Sequence, residues 1–65
     1  MENFTNMNNY YHGFDAALED LEWDLVPLEW SNSAIQAQVE SADNYTEHYV
    51  RGYMDAVIQF RNLSE

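Results

Sequence analysis

The segment 10-YYHGFDAA-17 has a counterpart in 49-YVRGYMDA-56, and this weak internal repeat bears most directly on the fold. Each copy contains a Gly-x-x-x-Ala pattern, which starts at Gly13 in the first and at Gly52 in the second. Small residues four positions apart share one face of a helix and allow two helix backbones to approach closely. Glycine costs about 1 kcal/mol relative to alanine inside a helix, so its presence in both copies indicates a packing role. The repeat predicts two antiparallel helices that cross near the glycines, within one chain or between two. Chance similarity of two short amphipathic helices is the competing explanation.

The first helix is expected to begin near Tyr10, because apolar residues recur from there in steps of three and four. The stripe expected to face the core consists of Tyr11, Phe14, Leu18, Leu21, Leu25 and Leu28. Asn8 or Asn9 is a suitable N-cap for this helix. Residues 1–9 are interpreted as a flexible polar arm, followed by a single helical domain over residues 10–65.

Pro27 is expected to end the first helix near Leu25 or Val26, since the residue before a proline is disfavoured in the helical conformation. Residues 27–33 then form a connection, with Trp30 expected to anchor it on the core.

Two further helices are predicted, one ending near Ser41 and the other near Asn62. The candidate N-caps are Ser31 or Ser33 for the second helix and Asp43 or Asn44 for the third. Inward-facing residues are expected to be Ile35, Val39 and Ala42 in the second helix, and Tyr45, Tyr49, Tyr53, Val57 and Phe60 in the third. The predicted fold is therefore all-α, a small three-helix bundle or helical hairpin with a short middle helix.

The small size of the chain limits its stability. A domain of this length buries only about 60% of the surface that its unfolded chain exposes. Disulfides, metals and oligomerisation are the usual additional supports. The 65 residues include no cysteine and only two histidines, which make a weak basis for a metal site; neither a metal nor a cofactor is expected. We therefore expect a homodimer.

Charge is the most unusual property of the composition. Twelve carboxylates stand against two arginines and no lysine, which gives a formal net charge of −10. Direct binding of nucleic acid depends on a basic surface, and so does binding to an anionic membrane; neither is expected. The first residues do not have the charged and apolar regions of a signal peptide, and no segment approaches the length of a membrane span. We expect a cytoplasmic protein that attracts a basic partner.

The carboxylates concentrate in the first helix and just after it. The candidate partner-binding residues are Asp15, Glu19, Asp20, Glu22, Trp23, Asp24 and Glu29. No lysine or arginine lies in this segment, although like charges four residues apart destabilise a helix. Either the carboxylates imitate the phosphates of a nucleic acid, or they form a solvated face that only maintains solubility. Trp23 is either a contact residue or is packed under the second helix or in a dimer interface.

The chain resembles the small acidic inhibitors encoded by bacteriophages and mobile elements. The resemblance lies in its size, its charge, the absence of lysine and cysteine, and the carboxylate run from Asp15 to Glu29. This class includes anti-restriction, anti-CRISPR and glycosylase-inhibitor proteins, many of which are DNA mimics. The resemblance implies an inhibitor that binds a basic, nucleic-acid-binding host protein in a bacterial cytoplasm. The alternatives are a structural or adaptor module that forms an obligate oligomer, and an immunity-type nuclease inhibitor. No arrangement of nucleophile, base and phosphate loop indicates an enzyme.

Overall fold

The computed structural model describes residues 2–41 and 46–64, and their side chains over 8–41 and 46–63. It contains three helices: α1 (Glu2–Glu22), α2 (Asn32–Ser41) and α3 (Glu47–Ser64). The described ranges contain no strand. The predicted all-α, three-helix fold with a short middle helix is therefore confirmed. α1 and α2 each pack against α3, and within the described residues they do not pack against each other as a helix pair.

The two glycines lie where α1 and α3 cross. A Cβ atom on Gly13 would collide with the backbone carbonyl oxygen of Tyr49, and one on Gly52 would collide with that of Tyr10. Gly13 and Gly52 are equivalent in the repeat, and so are Tyr10 and Tyr49. The crossing thus has an approximate twofold axis that relates α1 to α3. The antiparallel crossing predicted from the repeat is confirmed, and it forms within one chain.

The close approach determines which residues form the core. The buried residues are Ala17, Val26, Ile35, Val50, Tyr53, Met54, Ala56 and Val57, with Phe14, Ala16, Leu21, Val39 and Tyr49 packed around them. The apolar stripe predicted for α1 is therefore largely wrong. Tyr11, Leu18, Leu25 and Leu28 are exposed, because the smallest residues of α1 occupy the centre of its interface with α3. In α3 the predicted Phe60 is also exposed.

α1 begins and ends earlier than its sequence pattern predicts. It starts at Glu2, so Asn8 and Asn9 lie inside the helix and do not cap it; the flexibility expected for residues 1–9 stays a prediction. At the other end, the Leu25 N–H donates to the Asp20 carbonyl over 2.8 Å, and the Asp24 N–H donates to the Leu21 carbonyl over 3.3 Å. This pair of hydrogen bonds is a Schellman motif. It ends the helix at Glu22, before Pro27 would require it.

The connection to α2 is anchored by a different residue from the one expected. Val26 is buried in the core, whereas Trp30 is exposed. The cap of α2 is as predicted: the Ala34 N–H donates to Ser31 Oγ over 3.2 Å. Ile35 is buried and Val39 is packed against the core, while Ala42 lies outside the described residues.

α3 is capped by Thr46, whose Oγ1 accepts a hydrogen bond from the Tyr49 N–H over 3.1 Å. The predicted caps, Asp43 and Asn44, and the predicted core residue Tyr45 lie outside the described residues. α3 continues to Ser64, two residues past the predicted end.

Candidate acidic docking surface

Three carboxylates form a row on the side of α1 that faces away from α3. Asp15, Glu19 and Glu22 are exposed, while Gly13 and Ala17, on the opposite side of the helix, are buried against α3. At about 1.5 Å of rise per residue, successive carboxylates stand about 4.5–6 Å apart along the helix axis. We call these three residues the acidic face. The structure thus places this part of the predicted site on one rigid element.

The remaining predicted carboxylates lie outside the row that forms the acidic face. Asp20 is half-buried and accepts a hydrogen bond from the Tyr53 hydroxyl over 2.7 Å, so it helps to hold α1 against α3. Asp24 and Glu29 are exposed, and both follow the end of α1. Asp24 has a φ of 59°, a left-handed conformation that costs a residue with a Cβ roughly 1–2 kcal/mol.

Trp23 lies at the end of α1 and is 68% exposed. It is therefore not packed under α2, which was one of the two structural alternatives to a contact role; a dimer interface is the other. An exposed tryptophan beside carboxylates is a typical energetic centre of a protein interface. Trp23 remains a candidate contact residue.

The two arginines do not neutralise the acidic face. The Arg61 guanidinium donates from Nη2 to the carbonyl oxygens of Leu28 and Trp30, over 3.1 and 2.7 Å. Arg51 lies on α3, four residues from each of Glu47 and Asp55, and not on the helix that carries the acidic face.

Charge is distributed unevenly over the molecule as a result. Residues 8–29 contain six carboxylates and no arginine or lysine. In α3, Glu47 and Asp55 are balanced by Arg51 and Arg61. The excess negative charge is thus concentrated on α1 and the connection that follows it.

Asp55 of α3 has a hydrogen-bond partner on α1. Its Oδ2 accepts a hydrogen bond from the Tyr10 hydroxyl. This hydrogen bond raises the pKa of Tyr10 above its ordinary value of 10.0, and burial and repulsion by the same carboxylate act in the same direction. Tyr10–Asp55 and Tyr53–Asp20 are therefore two polar links across the crossing of α1 and α3.

The surface of α1 also carries an apolar stripe that the sequence pattern assigned to the core. Tyr11 is 56% exposed and Leu18 is 47% exposed. Both lie beside the acidic face, since each is four residues before one of its carboxylates, Asp15 and Glu22. Tyr11 and Leu18 are exposed because α2 packs on α3 and, within the described residues, does not pack on α1.

No site for a metal or a cofactor emerges from the described part of the chain. A groove of about 680 Å³ between α2 and α3 is lined by mixed polar and apolar residues, among them Gln36, Glu40, Arg51 and Met54. Over residues 8–41 and 46–63, no three histidine or carboxylate side chains come together as metal ligands.

Comparison of the chain with protein-family models, with curated proteins and with solved structures finds no match. In the described ranges no helix has the length and apolar character needed to cross a membrane. Function has to be inferred from the residues and their geometry.

Proposed function

We propose that this protein is a small acidic inhibitor that binds the basic surface of a nucleic-acid-binding protein, in the cytoplasm of a bacterial host. It acts by contact and not by catalysis. The observation that carries the proposal is the row of exposed carboxylates at Asp15, Glu19 and Glu22, which no arginine of the described residues neutralises.

The acidic face presents negative charges in a row, as a nucleic-acid strand does, although at a wider spacing. Duplex DNA has one negative charge per about 1.7 Å of axis when both strands are counted, and about 3.4 Å per strand. One row of carboxylates at about 4.5–6 Å is sparser than a single strand. Asp24 and Glu29, exposed beyond the helix, extend the negative surface. Electrostatic attraction would steer such a surface toward a basic cleft, and the binding would depend strongly on the salt concentration.

The proposal is tested with two matched pairs of substitutions. Glu19→Gln with Glu22→Gln removes two charges from the acidic face, and Glu40→Gln with Glu47→Gln removes two exposed charges elsewhere. Proteins captured from a bacterial lysate by each variant are identified after washes at low and high salt. We expect basic nucleic-acid-binding proteins to be lost with the first pair and retained with the second. Capture that survives the first pair at physiological salt would refute mimicry.

Competition with DNA separates the proposal from an immunity-type inhibitor. A mimic is displaced from its purified partner by the partner's own nucleic acid, because both occupy one basic surface. An immunity-type inhibitor bound away from the active site stays bound while substrate is added.

The second candidate is a homodimeric structural or adaptor module. It is favoured by the many large apolar side chains that remain exposed, including Trp23, Leu25, Trp30 and Leu63. Exposed apolar surface of this kind marks protein interaction sites. In that case the charge would serve solubility alone, and the Glu19→Gln and Glu22→Gln pair would leave function unchanged.

A further inference from the structure

The approximate twofold axis relates an apolar face of α3, against which α2 packs, to an equivalent face of α1. In the repeat, Tyr11 and Leu18 of α1 correspond to Val50 and Val57 of α3. Val50 is 6% exposed and Val57 is 0% exposed, whereas their α1 counterparts are about half exposed. The two helices therefore have equivalent apolar faces that differ in solvent exposure: the face on α3 is buried and the face on α1 is about half exposed.

The cover on α3 is provided by α2 and the connection before it. α2 packs on α3, and its Ile35 joins Val50 and Val57 in the core together with Val26 of the connection. Within the described residues, α2 does not pack on α1. The face of α1 formed by Tyr11 and Leu18, with the half-buried Phe14 and Leu21 beside it, has no helix across it among residues 2–41 and 46–64. We call these four residues the α1 apolar face.

The charges beside the α1 apolar face determine which helix would fit there. Asp15 and Glu22 correspond in the repeat to Met54 and Arg61 of α3. On α3 the equivalent positions are a buried methionine and an arginine that bonds the connection before α2, whereas a helix that docks on α1 would meet two exposed carboxylates. A second copy of this chain would add its own net charge of −10, whereas a cationic helix is attracted.

We infer that the α1 apolar face and its bordering carboxylates form a docking site for a basic amphipathic helix of the partner protein, in the position equivalent to that of α2 on α3. The inference rests on the proposed function and specifies the element that the acidic surface recognises. Apolar side chains of the incoming helix pack on Tyr11 and Leu18, and its lysines or arginines lie against Asp15 and Glu22. Recognition of an apolar helix face in a groove is a recurrent mode of protein binding.

The experiment uses synthetic peptides as probes. One is an amphipathic leucine–lysine peptide of about 18 residues, or five helical turns. The second has the same composition in an order that gives no apolar face. Affinity is measured by isothermal titration calorimetry, and the contact surface by amide chemical-shift changes in the full chain. We expect the amphipathic peptide to bind at least about tenfold more tightly than its scrambled counterpart, as one buried apolar contact residue can supply.

Substitutions assign that difference to the α1 apolar face. Leu18→Gln and Tyr11→Gln replace exposed side chains without loss of helix propensity, so both variants are expected to fold. Each should lower the affinity for the amphipathic peptide about tenfold and leave the affinity for the scrambled peptide unchanged. Leu63→Gln replaces an apolar residue that is 87% exposed on α3 and serves as the control with unchanged affinity.

The outcomes separate this inference from the proposed function. If both peptides bind equally and the binding depends on Glu19 and Glu22, the acidic surface acts by charge alone and the inference is overturned while the proposed function stands. If neither peptide binds at low salt, the proposed function fails as well. A homodimer that dissociates with Leu18→Gln would show that a second copy is the occupant, and it too would overturn the inference.

Discussion

At the scale of single residues, the two glycines at the crossing are the positions least tolerant of change. In an exposed helix, replacing glycine with alanine stabilises by about 1 kcal/mol. At Gly13 and Gly52 the added methyl group would meet backbone carbonyl oxygens, which cannot move without separating the helices. The glycine hydrogens point toward those oxygens instead, an arrangement that permits weak Cα–H···O contacts.

We predict that Gly13→Ala and Gly52→Ala each lower the free energy of unfolding by about 2 kcal/mol or more, because overpacking outweighs the gain in helix propensity. Denaturation in urea, followed by circular dichroism, measures the change. Ala37→Gly, at an exposed position of α2, measures the effect of helix propensity without a change in packing. It should lower the free energy of unfolding by about 1 kcal/mol. A stabilising effect at either glycine would mean that the helices do not approach as described.

Tyr10 provides a pH-dependent test of the polar link to Asp55. Because the pKa of Tyr10 is raised in the folded state, the folded protein holds this proton more tightly than the unfolded chain does. The resulting stabilisation is fully present below about pH 10, the ordinary value for tyrosine, and is lost as the pH rises through the folded pKa.

We predict that Tyr10→Phe destabilises the protein by about 1 kcal/mol at neutral pH. Above about pH 10 the variant should lose less stability than the wild type, since it lacks this titrating group. Tyr11→Phe is the matched control: Tyr11 is exposed, and its ring contacts that of Tyr10 edge-on. Equal alkaline sensitivity of the wild type and Tyr10→Phe would contradict the assignment.

At the scale of helices, the end of α1 combines conformational strain with unfavourable charge. Asp24 occupies the left-handed position that glycine usually fills in a Schellman motif. Its carboxylate, like that of Glu22, also lies near the negative end of the helix dipole. Strained residues of this kind concentrate at functional sites.

We predict that Asp24→Gly raises the free energy of unfolding by about 1 kcal/mol and weakens binding of the partner. Thermal unfolding and calorimetric titration measure the two effects. Asp15→Gly, a change of the same type inside α1, should instead destabilise by about 0.3 kcal/mol, the difference between aspartate and glycine in helix propensity. If Asp24→Gly stabilises and leaves affinity intact, Asp24 lies outside the docking surface.

Arg61 links α3 to the connection between α1 and α2. Its two hydrogen bonds to the Leu28 and Trp30 carbonyls satisfy backbone groups of a segment that has little other anchorage than Val26. We predict that Arg61→Gln destabilises by about 1–2 kcal/mol, the range for hydrogen bonds to a charged donor that is partly exposed. Hydrogen exchange should increase in residues 25–31. Arg51→Gln, which removes an exposed arginine without such bonds, should change stability by less than about 0.5 kcal/mol.

The sequence predicts the elements of this fold better than it predicts their faces. Ser31 is a recognisable cap, and the repeated glycines indicate the crossing, because both signals are local. Pro27 sets only the latest possible end of α1, whereas the actual end depends on the turn at Asp24. Several capping residues precede α3, and the choice of Thr46 among them depends on tertiary packing.

The candidate site was predictable in part for the same reason. Helical spacing alone places Asp15, Glu19 and Glu22 on one side of α1. The structural role of Asp20 is not local, since it depends on Tyr53 of another helix. Large apolar residues suggested a core stripe through Tyr11 and Leu18, but close approach at the glycines placed small residues at the interface and left that stripe exposed.

At the scale of the whole molecule, exposed apolar surface favours self-association and the net charge opposes it. A folded monomer of this mass should expose about 4,300 Å², and the chain exposes 4968 Å². The exposed surface includes many large apolar side chains, which favour association. The net charge of −10 opposes it, because two such chains repel each other over a distance set by the ionic strength.

We therefore predict that homodimerisation depends on salt. Sedimentation equilibrium at high micromolar concentration should show mainly monomer near 0.01 M salt, where the Debye length is about 30 Å, and an increasing fraction of dimer near 0.15 M, where it is about 8 Å. Binding to a basic partner should change in the opposite direction, because screening weakens attraction between opposite charges. Leu18→Gln should leave the dimer intact, since the α1 apolar face is reserved for the partner's helix. A monomer at every salt concentration would refute the homodimer and leave exposed apolar surface to be explained by the partner alone.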